Sequence, residues 1–168
     1  MKITALFVLK CNATTTTDGS DPPILANATD VSQFGYFQRS SVREFIVFIA
    51  RTVAKRTPQG QRQSVQHEEY KVHAYNRNGL CALGVMDDHY PVRSAFSLLN
   101  KDPHEADKLL KIQKDLDETK IILHQTIESV LARGEKLDSL VEKSSDLSAA
   151  SQMFYKQAKQ TNQCCTVL

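Results

Sequence analysis

The chain has 168 residues and a nearly balanced charge, with 21 Lys and Arg against 19 Asp and Glu. This length favours one medium domain with an appendage, or two small units. With 41% hydrophobic and 24% charged residues, the composition excludes a disordered chain. A net charge of +2 without a dense basic run argues against a nucleic-acid partner. The longest apolar run, at 45–50, is far shorter than the roughly 20 residues of a membrane-crossing helix.

The four cysteines lie at positions 11, 81, 164 and 165. This spacing fits neither a metal site nor a disulfide framework, and it is typical of a protein of the reducing cytosol. No set of side chains suggests an acid, a base and a nucleophile acting together. We therefore expect no enzymatic activity, no metal or organic cofactor and no small-molecule substrate.

Composition changes at Asn100. Ten of the twelve aromatic residues and five of the six glycines precede this point, whereas the remainder is rich in charge and poor in Gly and Pro. The first part has the composition of a globular domain and the second that of a helix. We therefore predict three regions: a domain at 1–100, a helical segment at 101–163 and a short tail at 164–168.

Alternating and helical patterns predict the elements of the first domain. A helix at 42–56 is indicated by the spacing of Ser41 and Glu44, which fits a capping box, and Asn78-Gly79 is typical of a tight hairpin turn. The expected strands are 3–9, 24–28, 62–67, 70–75 and 80–86, and a second helix is expected at 91–99. This order predicts the α+β class, with a mainly antiparallel sheet and flanking helices.

Residues of the second region recur at alternating steps of three and four, a seven-residue pattern typical of a long coiled-coil helix. So narrow a stripe cannot bury itself alone, so the helix needs partners. The stripe consists of Leu109, Ile112, Leu116, Thr119, Leu123, Thr126, Val130, Arg133, Leu137, Leu140, Ser144, Leu147, Ser151, Phe154, Ala158 and Thr161.

Arg133 is the one charged residue in this stripe. A guanidinium at a core position is costly unless acceptors surround it. Two interpretations remain open from the pattern alone: an imperfect seam, or a polar layer that fixes the register by donating to acceptors on partner helices. Gly134 beside it weakens a helix by about 1 kcal/mol relative to Ala.

The C-terminal residues Cys165-Thr-Val-Leu168 fit the pattern for thioether prenylation. A C-terminal Leu favours geranylgeranyl, although farnesyl remains an alternative. One lipid gives only marginal attachment, and palmitoylation of the neighbouring Cys164 would supply a second. We therefore expect a membrane partner that is reached through covalent lipids.

Two stretches resemble a known family. The segments at 116–124 and 130–140 resemble the R-type SNARE motif of synaptobrevin relatives, and 34–45 resembles the longin domain that precedes it in the lipid-anchored member without a transmembrane segment. The resemblance implies vesicle–target fusion by zippering with three Gln-bearing Q-SNARE helices, with Arg133 as the ionic-layer residue. It also implies that Phe48 contacts the SNARE segment, and that the protein acts from the cytosol on the cytoplasmic face of ER–Golgi, endosomal or vacuolar membranes.

The longin pattern is shortened here, because the chain passes from Leu99 through Asn100-Lys-Asp-Pro103 directly into the second region. We expect the apolar seam of 109–130 to cover the surface that this shortening exposes. Besides the fusion protein, one alternative is a lipid-anchored coiled-coil adaptor or regulator that binds SNAREs without driving fusion. A small prenylated enzyme is disfavoured by the lack of a catalytic constellation.

Overall fold

The computed structural model describes residues 2–11, 21–100 and 122–164, with side chains to residue 160 in the last range. A six-stranded sheet forms its centre, in the order β2-β1-β5-β4-β3-β6. All neighbouring strands are antiparallel except the pair of β3 and β6, which is parallel. The strands are β1 (Ile3–Lys10), β2 (Ile24–Thr29), β3 (Arg62–His67), β4 (Tyr70–Arg77), β5 (Leu80–Asp87) and β6 (Ile122–Thr126). The prediction of a mainly antiparallel α+β fold is confirmed.

The hairpin between β4 and β5 forms at the predicted turn. Asn78 and Gly79 have φ angles of +52° and +83°, the left-handed pair that a two-residue hairpin requires. The five strands predicted in the first domain are all present, with ends that differ by at most two residues.

Two helices cover the opposite faces of this sheet. Helix α1 (Arg39–Lys55) follows a 3₁₀ turn (Tyr36–Gln38), and helix α2 (Val92–Leu99) follows β5. The main core lies under α1, where Phe48 and Ile49 pack with the inward side chains of the strands, such as Phe7. On the other face, Phe96 of α2 is fully buried. The layers thus match those expected for the first domain.

Helix α1 begins three residues earlier than the sequence predicts. Ser41 and Glu44 therefore lie inside the helix and do not form the expected capping box. A tertiary contact replaces the capping box, because the Glu44 carboxylate accepts a hydrogen bond from the backbone N–H of Ser148 in the second region. The helix ends at Lys55, before the predicted stop at Thr57-Pro58.

The second region is not a continuous helix in its described part. It consists of β6 and of three helices, α3 (Ile127–Val130), α4 (Leu137–Lys143) and α5 (Ala149–Cys164). The physical reason is that a lone helix with a narrow apolar stripe stays exposed, whereas the first domain offers a free sheet edge and an apolar face. The part of the expected coiled coil at 101–121 lies outside the described residues.

Candidate functional site

The second region docks onto the first domain by extending its sheet. Strand β6 pairs in parallel with β3, from Ile122 opposite Arg62 to Thr126 opposite Gln66. This pairing covers the backbone groups of an edge strand, which otherwise invites pairing with other chains. Of the expected 109–130 seam, the described portion therefore contacts the first domain, but it begins as a strand and not as a helix.

Thr126 ends this strand and starts α3. The backbone N–H of Ser129 donates to its Oγ1 at 3.4 Å, and the Ser129 hydroxyl lies 3.0 Å from the Thr126 backbone nitrogen. This reciprocal cap stabilises a single helical turn at the point where the chain leaves the sheet. The turn directs Ile127, only 1% exposed, into the core of the first domain.

Arg133 lies in the loop between α3 and α4 and is exposed. Within the described part of the chain, its guanidinium makes no hydrogen bond or ion pair. The loop is held by Glu135, whose carboxylate accepts the Ala132 backbone N–H at 2.9 Å and the Arg56 guanidinium of the first domain at 2.7 Å. Gly134 has a φ of +89°, a conformation that glycine adopts without strain. Gly134, which would weaken a continuous helix, thus suits the backbone conformation of this loop.

The apolar residues of the second region complete the core of the first domain. Leu137 and Leu147 of the predicted stripe are 7% and 6% exposed, and Leu140, Val130 and Phe154 pack against the same cluster while only partly buried. Outside the stripe, the core includes three further residues that the heptad pattern missed. They are Ile127, Leu131 and Val141.

A sequence signal exists for two of these missed residues, Leu131 and Val141. Val130-Leu131 and Leu140-Val141 are adjacent apolar pairs, and such pairs widen an apolar face beyond a coiled-coil seam. A wider face is typical of a helix that packs on a globular core. The same segment therefore carries both a narrow seam and a broader docking surface.

Helix α5 is anchored at its start by polar contacts with α1. The Glu44 carboxylate accepts the Ser148 backbone N–H at 2.8 Å and the Ser151 hydroxyl at 2.7 Å. These hydrogen bonds, the Ser148 backbone bond above all, lower the pKa of Glu44. A carboxylate at the start of a helix is also favoured by the helix dipole. About two turns further along α1, Arg51 pairs with Asp146.

An aromatic contact follows on the same helices. Tyr155 stacks on Phe45, with ring centroids 5.3 Å apart, and its hydroxyl donates to Asp138 of α4 at 2.9 Å. Phe48, which the resemblance places in this contact, is 6% exposed and belongs to the core, where its ring lies 6.0 Å from that of Phe45. Phe48 therefore packs on the core side of the Phe45 ring, and Phe45 in turn contacts Tyr155 of α5.

The carboxylates of the docked segment differ in their pKa. The Arg56 guanidinium and the Ala132 N–H lower the pKa of Glu135, and Lys159 lowers the pKa of Asp138. Burial raises the pKa of Asp146, although Arg51 opposes this effect. The ionised forms of Glu44, Glu135 and Asp138 thus stabilise the docked arrangement, whereas Asp146 loses solvation in it.

A cleft of about 820 Å³ remains between the two regions. It is mainly apolar and runs between α1, the β3 edge and α5, with Phe34 and Ile46 on one side and Phe154 and Ala158 on the other. In the described residues, no group of three or more His, Cys, Asp or Glu is arranged to bind a metal ion.

Some predicted site residues lie outside the buried cluster, and others are not described. Leu123 lies in β6 opposite Gln63 of β3. Ser144 follows α4, and its hydroxyl accepts the Asp146 backbone N–H at 3.1 Å. The expected stripe residues Leu109, Ile112, Leu116 and Thr119, the side chains of Thr161 and Cys164, and all of Cys165 lie outside the described residues.

Comparison with known proteins identifies the family. The longin model, a regulated-SNARE-like domain, matches residues 31–103, and the synaptobrevin model matches residues 108–166. The chain is 67% identical to the VAMP-like protein YKT61 of Arabidopsis thaliana, with the whole of both chains aligned. The chain belongs to the YKT6 family of synaptobrevin homologues. It is also 43% identical to the synaptobrevin homolog YKT6 of Eremothecium gossypii, over the whole of both chains.

A further relative, the synaptobrevin homolog YKT6 of Saccharomyces cerevisiae, is 45% identical over 86% of this chain and 91% of its own length. YKT6 proteins are R-SNAREs of vesicle transport, which partner with other SNAREs and are not enzymes. The alignment with the A. thaliana relative has 203 positions against 168 residues here, so some positions of that YKT6 protein have no counterpart. No described helix is long and apolar enough to cross a bilayer.

Proposed function

We propose that this R-SNARE drives membrane fusion by zippering its 101–163 segment with three Gln-bearing Q-SNARE helices. Arg133 supplies the ionic layer opposite the three glutamines. The observation that carries the proposal is the exposure of Arg133 in a segment whose apolar neighbours Leu137 and Leu147 are buried. Arg133, which would contact the partner glutamines, thus stays exposed to solvent while Leu137 and Leu147 of the apolar stripe are buried.

Docking and zippering compete for the same side chains. Leu137 and Leu147 cannot face Q-SNARE helices while they lie in the core of the first domain. Each buried aliphatic side chain stabilises the docked state by about 1.5–3 kcal/mol. Assembly must therefore detach α4 and α5 and convert β6 into helix, so the first domain slows zippering.

Covalent lipids complete the proposed mechanism. Prenylation of Cys165 by geranylgeranyl or farnesyl and palmitoylation of Cys164 hold the protein on the cytoplasmic face of Golgi, endosomal or vacuolar membranes. Two lipids bind a bilayer stably, whereas one binds reversibly. The folding that accompanies assembly then draws the two membranes together, because it buries apolar surface along the bundle.

The experiment measures assembly of the full chain with purified Q-SNARE helices. Wild type and Phe45→Ala are compared, since the substitution removes the ring that Tyr155 stacks on. We expect a four-helix complex from both and faster formation from the variant. Failure of both proteins to form a complex would overturn the zippering proposal.

Liposome fusion separates the fusion protein from an adaptor. The chain and the Q-SNAREs are placed on separate vesicles, and lipid mixing is followed. Complex formation without lipid mixing would support the alternative of a lipid-anchored regulator that binds SNAREs without driving fusion.

A further inference from the structure

The 3₁₀ turn before α1 presents two aromatic rings to solvent. Phe37 is 93% exposed and Tyr36 is 78% exposed, and the two rings lie edge to face with centroids 5.5 Å apart. Both are more exposed than the other large hydrophobic side chains of the described residues. Phe and Tyr rings are among the side chains whose burial yields most free energy. Their joint exposure at one tip thus points to a binding surface.

This tip is held in a fixed conformation. The Arg39 guanidinium donates to the backbone carbonyls of Phe34 and Ser32, each at 3.1 Å. The backbone N–H groups of Gln38 and Arg39 both donate to the Gly35 carbonyl, at 2.8 and 3.2 Å. The rings are therefore presented outward by an ordered turn.

We propose that Tyr36 and Phe37 insert into the interfacial layer of a lipid bilayer. The inference goes beyond the lipid anchor of the proposed function and does not depend on that anchor. Aromatic rings favour the headgroup level of bilayers. The neighbouring exposed polar residues Gln33, Gln38 and Arg43 limit the insertion to this shallow layer.

A bilayer fits this patch better than a second protein. Two aromatic side chains bury about 300–500 Å² together, whereas a stable protein interface buries about 800 Å² on each partner. A bilayer accepts a few side chains without a complementary surface, and the tip then adds a weak, reversible contact to the lipids.

The chain has no tryptophan, so Phe37→Trp creates a unique fluorescent reporter at the tip. The control is Leu25→Trp, which replaces an exposed apolar residue at the start of β2. Both variants are studied as unlipidated full chains with phosphatidylcholine vesicles, with and without phosphatidylserine and with brominated acyl chains. We expect a blue shift and quenching at position 37 but not at position 25. Phosphatidylserine should change the extent of binding without being required for insertion.

Serine substitutions provide the second measurement. Tyr36→Ser with Phe37→Ser should reduce vesicle co-sedimentation several-fold, whereas Leu25→Ser should leave it unchanged. No quenching at position 37, or equal quenching at both positions, would overturn the proposal. So would a vesicle-free blue shift at position 37 that grows with protein concentration, which would indicate a second copy of the chain. Because the protein is unlipidated, these outcomes are independent of whether Cys164 and Cys165 carry lipids.

Discussion

Phe45 of the longin domain stacks on Tyr155 of the SNARE segment, with ring planes inclined by 24°. Glu44, the preceding residue, accepts hydrogen bonds from Ser148 and Ser151 of the same segment. Two consecutive residues of α1 thus make a polar contact at the start of α5 and an aromatic contact near its middle. Phe48, one turn further along α1, faces the core. Docking and folding therefore depend on different faces of one helix.

Phe45→Ala should release α5 without unfolding the domain. Phe45 is only partly buried, so the loss is that of the ring stack, about 0.5–1.5 kcal/mol, and of some buried area. Hydrogen exchange of the full chain should become faster at 147–160 and stay unchanged in β1, β4 and β5.

Phe48→Ala is the matched control for this prediction. Its ring is 6% exposed, and truncation of a buried Phe costs about 3–5 kcal/mol. Exchange should therefore rise throughout the sheet as well as in α5. Equal exchange patterns for the two variants would contradict the division of α1 into a docking and a core face.

Arg133→Ala should leave the docked chain unchanged but weaken assembly with Q-SNAREs. The side chain is exposed, and such substitutions alter the free energy of unfolding by about 0.5 kcal/mol or less. In a four-helix complex, its loss would leave the partner glutamines poorly paired. Melting of the complex and urea unfolding of the free chain give the two readouts. An unchanged melting temperature and unchanged partner selectivity would remove Arg133 from the mechanism.

Cys165→Ser should release the protein into the soluble fraction of cells, because prenylation would no longer occur. Cys164→Ser should instead leave a weaker, exchangeable membrane attachment, since a single lipid binds reversibly. Fractionation and photobleaching recovery measure the two effects. Membrane retention of the Cys165 variant at the wild-type level would show that the anchor lies elsewhere.

Much of the first domain follows from local patterns. Strand alternation and the Asn78-Gly79 turn determine the hairpin between β4 and β5, because these signals act between neighbouring residues. The first residue of α1 cannot be predicted from such local signals. There the capping role expected of Glu44 is replaced by a contact with Ser148, more than a hundred residues away.

The conformation of the second region was harder to predict because it depends on contacts that are distant in sequence. Its seven-residue repeat describes how it would pack with other helices, whereas the free β3 edge and the apolar face of α1 determine how it docks. Arg133 stood out in the pattern because of its charge, and its exposure agrees with a residue that awaits partners. Ile127 had no such signal, since one apolar residue off the stripe is common on a helix.

His73 should make the unfolding free energy depend on pH. It is 0% exposed, packs edge-on against Phe96 at 5.4 Å, and its ring nitrogens have no hydrogen-bond partner among the described residues. Burial, and to a lesser degree the charges of Lys71 and His124, lower its pKa from 6.5 to about 4. The folded state thus favours neutral imidazole, while the unfolded chain takes up a proton below about pH 6.5. The resulting stability is complete above that pH and declines as the pH falls toward 4, by about 3 kcal/mol in all.

Urea unfolding of the full chain tests this linkage. Between about pH 7.5 and pH 5, we expect wild type to lose about 2 kcal/mol through His73. His73→Phe keeps an aromatic ring of similar size but cannot bind a proton, so its free energy of unfolding should fall much less over this interval. Some dependence should remain, because burial also lowers the pKa of His67. His89→Gln, a change at an exposed histidine, is the control and should follow wild type. Equal pH slopes for wild type and His73→Phe would show that His73 is not the group that titrates on unfolding.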